Sequence, residues 1–406
     1  MSRNRTSPGD RDPMTKSRIL FFALSAALVL TVVGGSLLAA VAQDDDEQDS
    51  LYKYLSVFTE VLGLARRAYV EEVEVETLIA GALDGSTEAL DPFSLFLPEA
   101  QVEPYLAARE RGNRMSGLTL LKDRGIAFAA SIQPGSPAEA AGVQTSDIVT
   151  QIDGRSTRLM PVWEIQEILA QDSGTPVRLD LLRRGERLEA TVVLGRFAPP
   201  PAGLNRAGSY GMVQVGALDA ESVGAVKSAL EAASQRGAEK LLLDLRGVST
   251  GDAEAAYRIA GLFTSGELGR LTRRGETLDT FASEAPPVWQ GELVVLVDRG
   301  TMGAAEVLAR VLDDKLPART VGERTFGYAG RQDVTELPSG GRLVHTSAFY
   351  TGPDGEPITE SLTPEVVVRE RDRILEDGDV PMRELILRRG LQELANPTPE
   401  AEEMAA

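Results

Sequence analysis

Asp298-Arg299-Gly300-Thr301-Met302-Gly303-Ala304-Ala305-Glu306 follows an all-apolar run, Leu293-Val294-Val295-Leu296-Val297, and opens an apolar-periodic stretch to Leu312. A strand feeding a turn that opens a helix is where α/β enzymes present a nucleophile. Covalent catalysis there needs an oxygen or sulfur nucleophile with a base beside it. The supply in this chain is narrow. It has no cysteine and a single histidine, His345. Thiol chemistry, disulfides and a multi-histidine metal site are therefore excluded. Lysine bases are restricted to Lys16, Lys53, Lys122, Lys227, Lys240 and Lys315, and arginine stays protonated. At the turn itself Gly303 has no side chain. Thr301 precedes it, with its hydroxyl expected to point elsewhere, and Lys315 follows the helix, far from the turn. Ser249 and Thr250 stand in a separate loop without an evident base. His345 belongs to a strand from Leu343 to Tyr350, where a lone histidine is more often structural. No spacing supports a triad of Ser249, His345 and an acid.

The elements that must position this turn read as a βα alternation: strand 210–215, helix 221–236, strand 239–245, helix 252–264, strand 293–297, helix 303–312 and strand 319–322. Leu241-Leu242-Leu243 and Val294-Val295-Leu296-Val297 are continuous apolar runs, as strands buried on both faces require. The fold class expected is α/β, with a largely parallel sheet. Ala198-Pro199-Pro200-Pro201-Ala202-Gly203 forms a stiff linker before it.

Length and composition agree with two or three folded domains: 406 residues, 43% hydrophobic and 25% charged. The net charge of −19 argues against a nucleic-acid partner, because phosphate binding needs basic patches. Residues 1–18 are a basic segment, and residues 19–42 carry no charge, about the length of a membrane-spanning helix. Asp44-Asp45-Asp46-Glu47 follows, so the positive-inside rule places residues 1–18 in the cytoplasm and the rest outside. The expectation is an uncleaved transmembrane anchor. Ala40-Val41-Ala42 also fits a signal-peptide cleavage site, and either way residue 43 onward is extracytoplasmic. Residues 43–112 read as a helical cap, with Asp91-Pro92 breaking the pattern and Ser94-Leu95-Phe96-Leu97 extended.

Residues 113–197 alternate short strands with two helices. Ser136 caps the first helix, Pro137 opens it and Gly142 ends it. The second runs from Val162 to Leu169. Gly117-Leu118-Thr119-Leu120, the Ser136-Pro137-Ala138-Glu139-Ala140-Ala141-Gly142 run, and Asp147-Ile148-Val149 through Asp153-Gly154 resemble a PDZ domain. That resemblance implies capture of a peptide carboxy-terminus by strand addition. The carboxylate would meet the amides of Leu118, Thr119 and Leu120 after Gly117, and Ile165 and Leu169 would line the groove.

The order of cap, PDZ-like segment and α/β core resembles the carboxy-terminal processing peptidases, or tail-specific proteases, over about residues 50–390. Tyr69-Val70-Glu71-Glu72, Leu90-Asp91-Pro92-Phe93-Ser94, Leu242-Leu243-Asp244-Leu245-Arg246, Val321-Gly322-Glu323-Arg324-Thr325-Phe326-Gly327 and Leu362-Thr363-Pro364-Glu365-Val366 carry it. The resemblance implies a core of residues 204–395 built from crotonase/ClpP-like βα units, with residues 396–406 as a mobile tail. It also implies a serine nucleophile and a lysine base. Gly303 stands at the serine position and Tyr328 at the lysine position, while Gln332, which orients the lysine in the family, is retained. Oxyanion-like donors would be the backbone amides of Gly251 and Ala304, although the family's Pro-Gly turn is replaced by Gly247-Val248-Ser249-Thr250-Gly251.

With Gly303 and Tyr328 at those positions, the resemblance implies a catalytically degenerate member of the family. The expectation is a cofactor-free and metal-free pseudopeptidase in the bacterial cell envelope, anchored in the inner membrane by residues 19–42, or periplasmic or secreted if that segment is cleaved. It would bind polypeptide C-termini or an unfolded protein, and regulate another protease. Two alternatives stay open: an active serine-type endopeptidase with a relocated nucleophile, and a scaffold whose faces only mediate assembly.

Overall fold

A computed structural model describes residues 52–111, 114–369 and 380–395. The expected anchor at 19–42, the basic segment at 1–18 and the tail at 396–406 lie outside the described residues. Among those described, no helix is long and apolar enough to cross a membrane. The chain divides into two compact units, Met1–Gly81 and Ala82–Ala406. The described part of the first holds helix α1, residues 52–68, whose Tyr52, Leu55, Phe58 and Val61 are exposed. Helix α2 (Val75–Glu88) leads into the second unit.

There the chain turns at Asp91. Its carboxylate accepts the amides of Phe93 and Ser94 at 2.8 and 2.7 Å and the Ser94 hydroxyl at 2.8 Å. This Asx-type turn ends the helical pattern before Pro92 and launches strand β1 (Leu95–Leu97). Helix α3 (Glu99–Arg111) follows. Lys122, almost fully buried, pairs with Glu88 at 2.6 Å and Asp84 at 3.5 Å.

The PDZ-like segment is a six-stranded antiparallel sheet: β2 (Leu118–Asp123), β3 (Ile126–Ile132), β4 (Ile148–Ile152), β5 (Arg155–Ser156), β6 (Pro176–Arg183) and β7 (Glu186–Val193). Its main path runs β2-β3-β4-β6-β7, so β2 has a free edge. Helix α4 (Pro137–Ala140) is capped by Ser136, whose Oγ accepts the Glu139 amide at 3.2 Å. Helix α5 (Val162–Leu169) closes the core. Leu118, Leu120, Ile165 and Leu169 are all buried within that core. Ile165 is fully enclosed, which corrects its assignment to the groove. Val162, Gln166 and Leu169 line the cavity along β2, whereas Ile165 lies beneath them in the core.

The core is a second six-stranded sheet. Its strands are β8 (Gly203–Ala207), β9 (Tyr210–Gln214), β10 (Lys240–Asp244), β13 (Glu292–Val297), β14 (Arg319–Gly322) and β17 (Val366–Val367). Between β10 and β13 the chain forms the hairpin β11 (Gly266–Arg273) and β12 (Glu276–Ser283). After β14 it forms β15 (Gly330–Glu336) and β16 (Arg342–Tyr350). The sheet order is β17-β14-β13-β10-β9-β8, parallel except for the β8–β9 pair. Helices α6 (Ala220–Gln235), α7 (Ala253–Ala260) and α8 (Ala304–Lys315) share one buried cluster with Leu241, Leu243, Val295 and Val297. Helix α9 (Met382–Ala395) packs with Leu242, Val294 and Leu296. Alternate residues of each strand thus enter opposite layers, which explains the continuous apolar runs.

Beside the parallel sheet, β11, β12, β15 and β16 join β1 in a separate five-stranded antiparallel sheet. The β11–β12 hairpin escaped the sequence reading: β12 is mostly exposed, so no hydrophobic alternation marks it.

Candidate active site

The carboxyl ends of β10, β13 and β14 release three loops, where open α/β sheets place their ligands. Asp244, at the end of β10, is buried beside Arg246, whose Nε and Nη2 each donate to it at 2.7 Å. Burial alone would raise its pKa; the bonds and charge of Arg246, with Arg383 beyond, hold it below the usual carboxylate value. Arg246 also donates to the Arg383 carbonyl. These contacts fix the start of the loop 245–252.

Asp298, at the end of β13, fastens that loop to the next. Its Oδ1 accepts the amides of Gly247 and Gly300, both at 2.9 Å. Thr301 Oγ1 donates to the Leu245 carbonyl at 2.9 Å and accepts the Asp298 amide at 3.0 Å. Met302 donates its amide to the Val248 carbonyl at 3.1 Å. The Thr301 hydroxyl is fully buried and committed to the backbone, so it is no substitute nucleophile.

Gly303 sits at the mouth of α8 with φ 61° and ψ −119°. This is a left-handed, strained conformation of the kind nucleophile turns impose. A Cβ built on it meets nothing within 4 Å. The backbone therefore aims the missing side chain into open space. Among the described residues the next amide, Ala304, donates to no protein group, and neither does that of Gly251. Gly251, at φ 138°, lies so close to Leu218 that a Cβ would fall 2.2 Å from the Leu218 carbonyl oxygen. Asp252 N–H donates to that same oxygen at 2.8 Å, and Leu218 N–H donates to the Thr250 carbonyl at 3.0 Å. The replaced Pro-Gly turn is thus shaped by a bridge to Leu218.

The third loop is held by a residue to which the sequence reading gave no role. Glu306, in the first turn of α8, is almost fully buried. It accepts the Thr325 hydroxyl and the Gly327 amide at 2.5 Å each, and the Tyr328 amide at 2.8 Å. Burial nevertheless pushes its carboxyl above the ordinary value. The Tyr328 ring stacks on Phe93 at 4.7 Å and meets Phe349 edge-on at 5.4 Å. Its hydroxyl lies 2.6 Å from Thr346 Oγ1, which also accepts Gln332 Nε2 at 2.7 Å. Burial, with nearby Asp91, raises the phenol well above its normal pKa, so it stays protonated at neutral pH. A phenol that holds its proton is no general base there. Phe93 and Thr346 also escaped the sequence reading; Phe93 stood inside a quoted motif, and Thr346 gave no signal.

The remaining candidates are engaged elsewhere. Ser249 Oγ lies 3.1 Å from Thr119 Oγ1, and Thr250 Oγ1 accepts Gln133 Nε2 at 3.3 Å. His345 faces Thr335 at 3.1 Å on β15. Lys315 ends α8.

The PDZ-like sheet lies against these loops: Ser131 Oγ on β3 donates to the Gly247 carbonyl at 3.1 Å. A cavity of about 240 Å³ runs from its groove, at Leu118, Thr119, Gln166 and Leu169, to Ser249, Met302 and Gln332 of the core. Phe93, Tyr105 and Arg109 of the cap form another wall. Gly117 precedes the groove strand, and its carbonyl accepts the Gln133 amide at 2.8 Å. Of the three amides expected to receive a carboxylate, that of Leu118 already donates to Ser116 Oγ at 3.2 Å.

A strained turn at a helix mouth, free amides beside it and a PDZ groove opening on the same cavity define a serine-peptidase scaffold. Residues 209–368 match peptidase family S41, and residues 128–183 match the PDZ domain. The chain is 24% identical over 323 residues to a probable CtpA-like serine protease of Staphylococcus aureus (strain N315), covering 77% of this chain and 64% of that protein. It is 25% identical over 298 residues to one of Staphylococcus haemolyticus (strain JCSC1435), covering 71% and 60%. This chain therefore spans under two thirds of the length of these curated relatives. Among solved structures, the photosystem II D1 C-terminal processing protease aligns with a TM-score of 0.64 and 25% identity, over 85% of this chain and 97% of that one. The S41 and PDZ matches, with the CtpA-like relatives and the D1 C-terminal processing protease structure, support a member of the carboxy-terminal processing peptidase family.

Proposed function

We propose that this chain binds polypeptide carboxy-termini through its PDZ groove and does not cleave them by serine–lysine chemistry. The pair Gly303 and Tyr328 carries the reading. The turn that should hold the nucleophile offers only a backbone, and the base position is filled by a neutral phenol locked between Phe93 and Thr346. Losing one such group costs about 10⁴- to 10⁶-fold in rate in a well-studied serine peptidase. In this reading the protein holds unfolded or tail-bearing chains and regulates their access to another protease. The charge pattern around residues 19–42 supports an envelope location with residue 43 onward outside the cytoplasm; digestion of spheroplasts by added protease tests that.

The chemical claim is tested with the purified full chain, an unfolded substrate ending in apolar residues, and a fluorophosphonate probe. The expected result is no turnover and no labelling, with labelling appearing in the Gly303→Ser/Tyr328→Lys double variant. Turnover by the unaltered chain that vanishes on Thr301→Ala or Ser249→Ala would overturn the proposal and establish a relocated nucleophile. Absence of any peptide binding would leave only the scaffold reading.

A further inference from the structure

The cavity that joins the PDZ groove to the core is lined almost wholly by apolar and neutral polar side chains. One charged residue lines it: Arg109, on α3 of the cap. Among the described residues Arg109 makes no ion pair, whereas Arg111, two positions on, pairs with Asp172 at 3.6 Å. One helical turn before Arg109 stands Tyr105, buried at 6% exposure, which lines the same cavity. Residues i and i+4 share a helix face, so a guanidinium and a phenol present donors to the same space. Both line it together with Ser116 and Leu118 of the carboxylate loop.

That loop is short of a donor, because Ser116 Oγ accepts the Leu118 amide. Elsewhere in the lining the buried Oε1 of Gln332 has no partner, although the other end of the amide donates to Thr346. The cavity thus offers an unpaired cation and a phenol for an anion, an unpaired acceptor for an N–H, and an apolar lining between. A polypeptide end supplies each of these: a free carboxylate, main-chain amides and apolar side chains.

Resting on the peptide-binding reading above, we propose that Arg109 of the cap, with Tyr105 beside it, anchors the α-carboxylate of a polypeptide bound in the PDZ groove. Recognition of the chain end is then shared between two parts of the fold. The β2 edge holds the main chain, and the cap helix holds the terminal charge. The ligand class is an unblocked, apolar polypeptide carboxy-terminus. A charge-assisted, forked guanidinium–carboxylate contact also explains why arginine suits this place.

The test measures fluorescence anisotropy of a labelled decapeptide ending in apolar residues, as the free acid and as the C-terminal amide, titrated with the full chain in detergent. The unaltered protein is expected to bind the acid about tenfold tighter than the amide, the size of one hydrogen bond to a charged group. Arg109→Gln should abolish that preference while leaving amide binding unchanged, and Arg109→Lys should restore part of it. Arg109 is exposed, so these variants keep the fold. Gln166→Trp, which fills the groove, should weaken both peptides together. Persistence of the acid preference in Arg109→Gln overturns the anchor and leaves the groove reading intact. Equal binding of acid and amide by the unaltered protein also overturns the anchor. Failure of both peptides to bind overturns the groove reading with it.

Discussion

Glu306 shows how one side chain holds the architecture around a turn that has no side-chain nucleophile at Gly303. Its carboxylate gathers three donors from the loop that carries Tyr328, and this constraint does not depend on a nucleophile. Burial raises its pKa from 4.5, and that of Asp298 from 3.8. A folded carboxyl that keeps its proton to higher pH than the unfolded chain loses stability as pH rises. The loss starts near the unfolded values and is complete above the folded ones. Urea denaturation followed from pH 4 upward should therefore show a declining contribution from these two groups. Glu306→Gln should remove its share of that slope. At pH 7 it should cost about 1–3 kcal/mol, because one donor is left facing an amide N–H. An unchanged slope in Glu306→Gln would place the effect elsewhere.

At the scale of loops and helices, two glycines predict opposite outcomes. Gly251 has a carbonyl oxygen where a Cβ would go, whereas Gly303 has open space there. Both have positive φ, so alanine carries backbone strain of about 1–3 kcal/mol at either site. Only Gly251→Ala adds a steric overlap that must move the Leu218 bridge. Thermal melts should show Gly251→Ala lowering the Tm clearly more than Gly303→Ala. Equal losses would mean that the 247–251 loop yields freely.

At the scale of the whole second unit, the PDZ sheet and the core meet through an apolar cluster of Leu121, Ala130 and Met302 and through small polar contacts: Thr119 with Ser249, Ser131 with the Gly247 carbonyl, and Gln133 with Thr250. These join the groove strand and its neighbour to the loop beside Gly303. A Thr119→Val/Ser249→Ala double-mutant cycle on unfolding free energy should return a coupling of about 1 kcal/mol. A coupling near zero would mean that the contact contributes nothing to docking the two domains.

Much of this was legible in the residues. The parallel strands announced themselves because burial on both faces demands unbroken apolar runs. The cap turn at Asp91 and the Ser136 cap were readable because local chemistry fixes each of them. The exposed β11–β12 hairpin was hidden because solvent-facing strands carry no core pattern. Ile165 was misplaced because spacing alone does not say which stripe of a short helix turns inward. Gathering Tyr328, Phe93, Thr346 and Gln332, or Arg109 and Leu118, around one space needed the tertiary structure. Those residues lie on separate elements, and only packing brings them within reach. The sequence by itself determined that a glycine, Gly303, stands at the turn opening the helix and that Tyr328 follows Gly327 in the third loop. The fold decided what surrounds them: a strained, open turn, a half-buried phenol hydrogen-bonded to Thr346, and a cavity shared by the cap, the PDZ groove and the core.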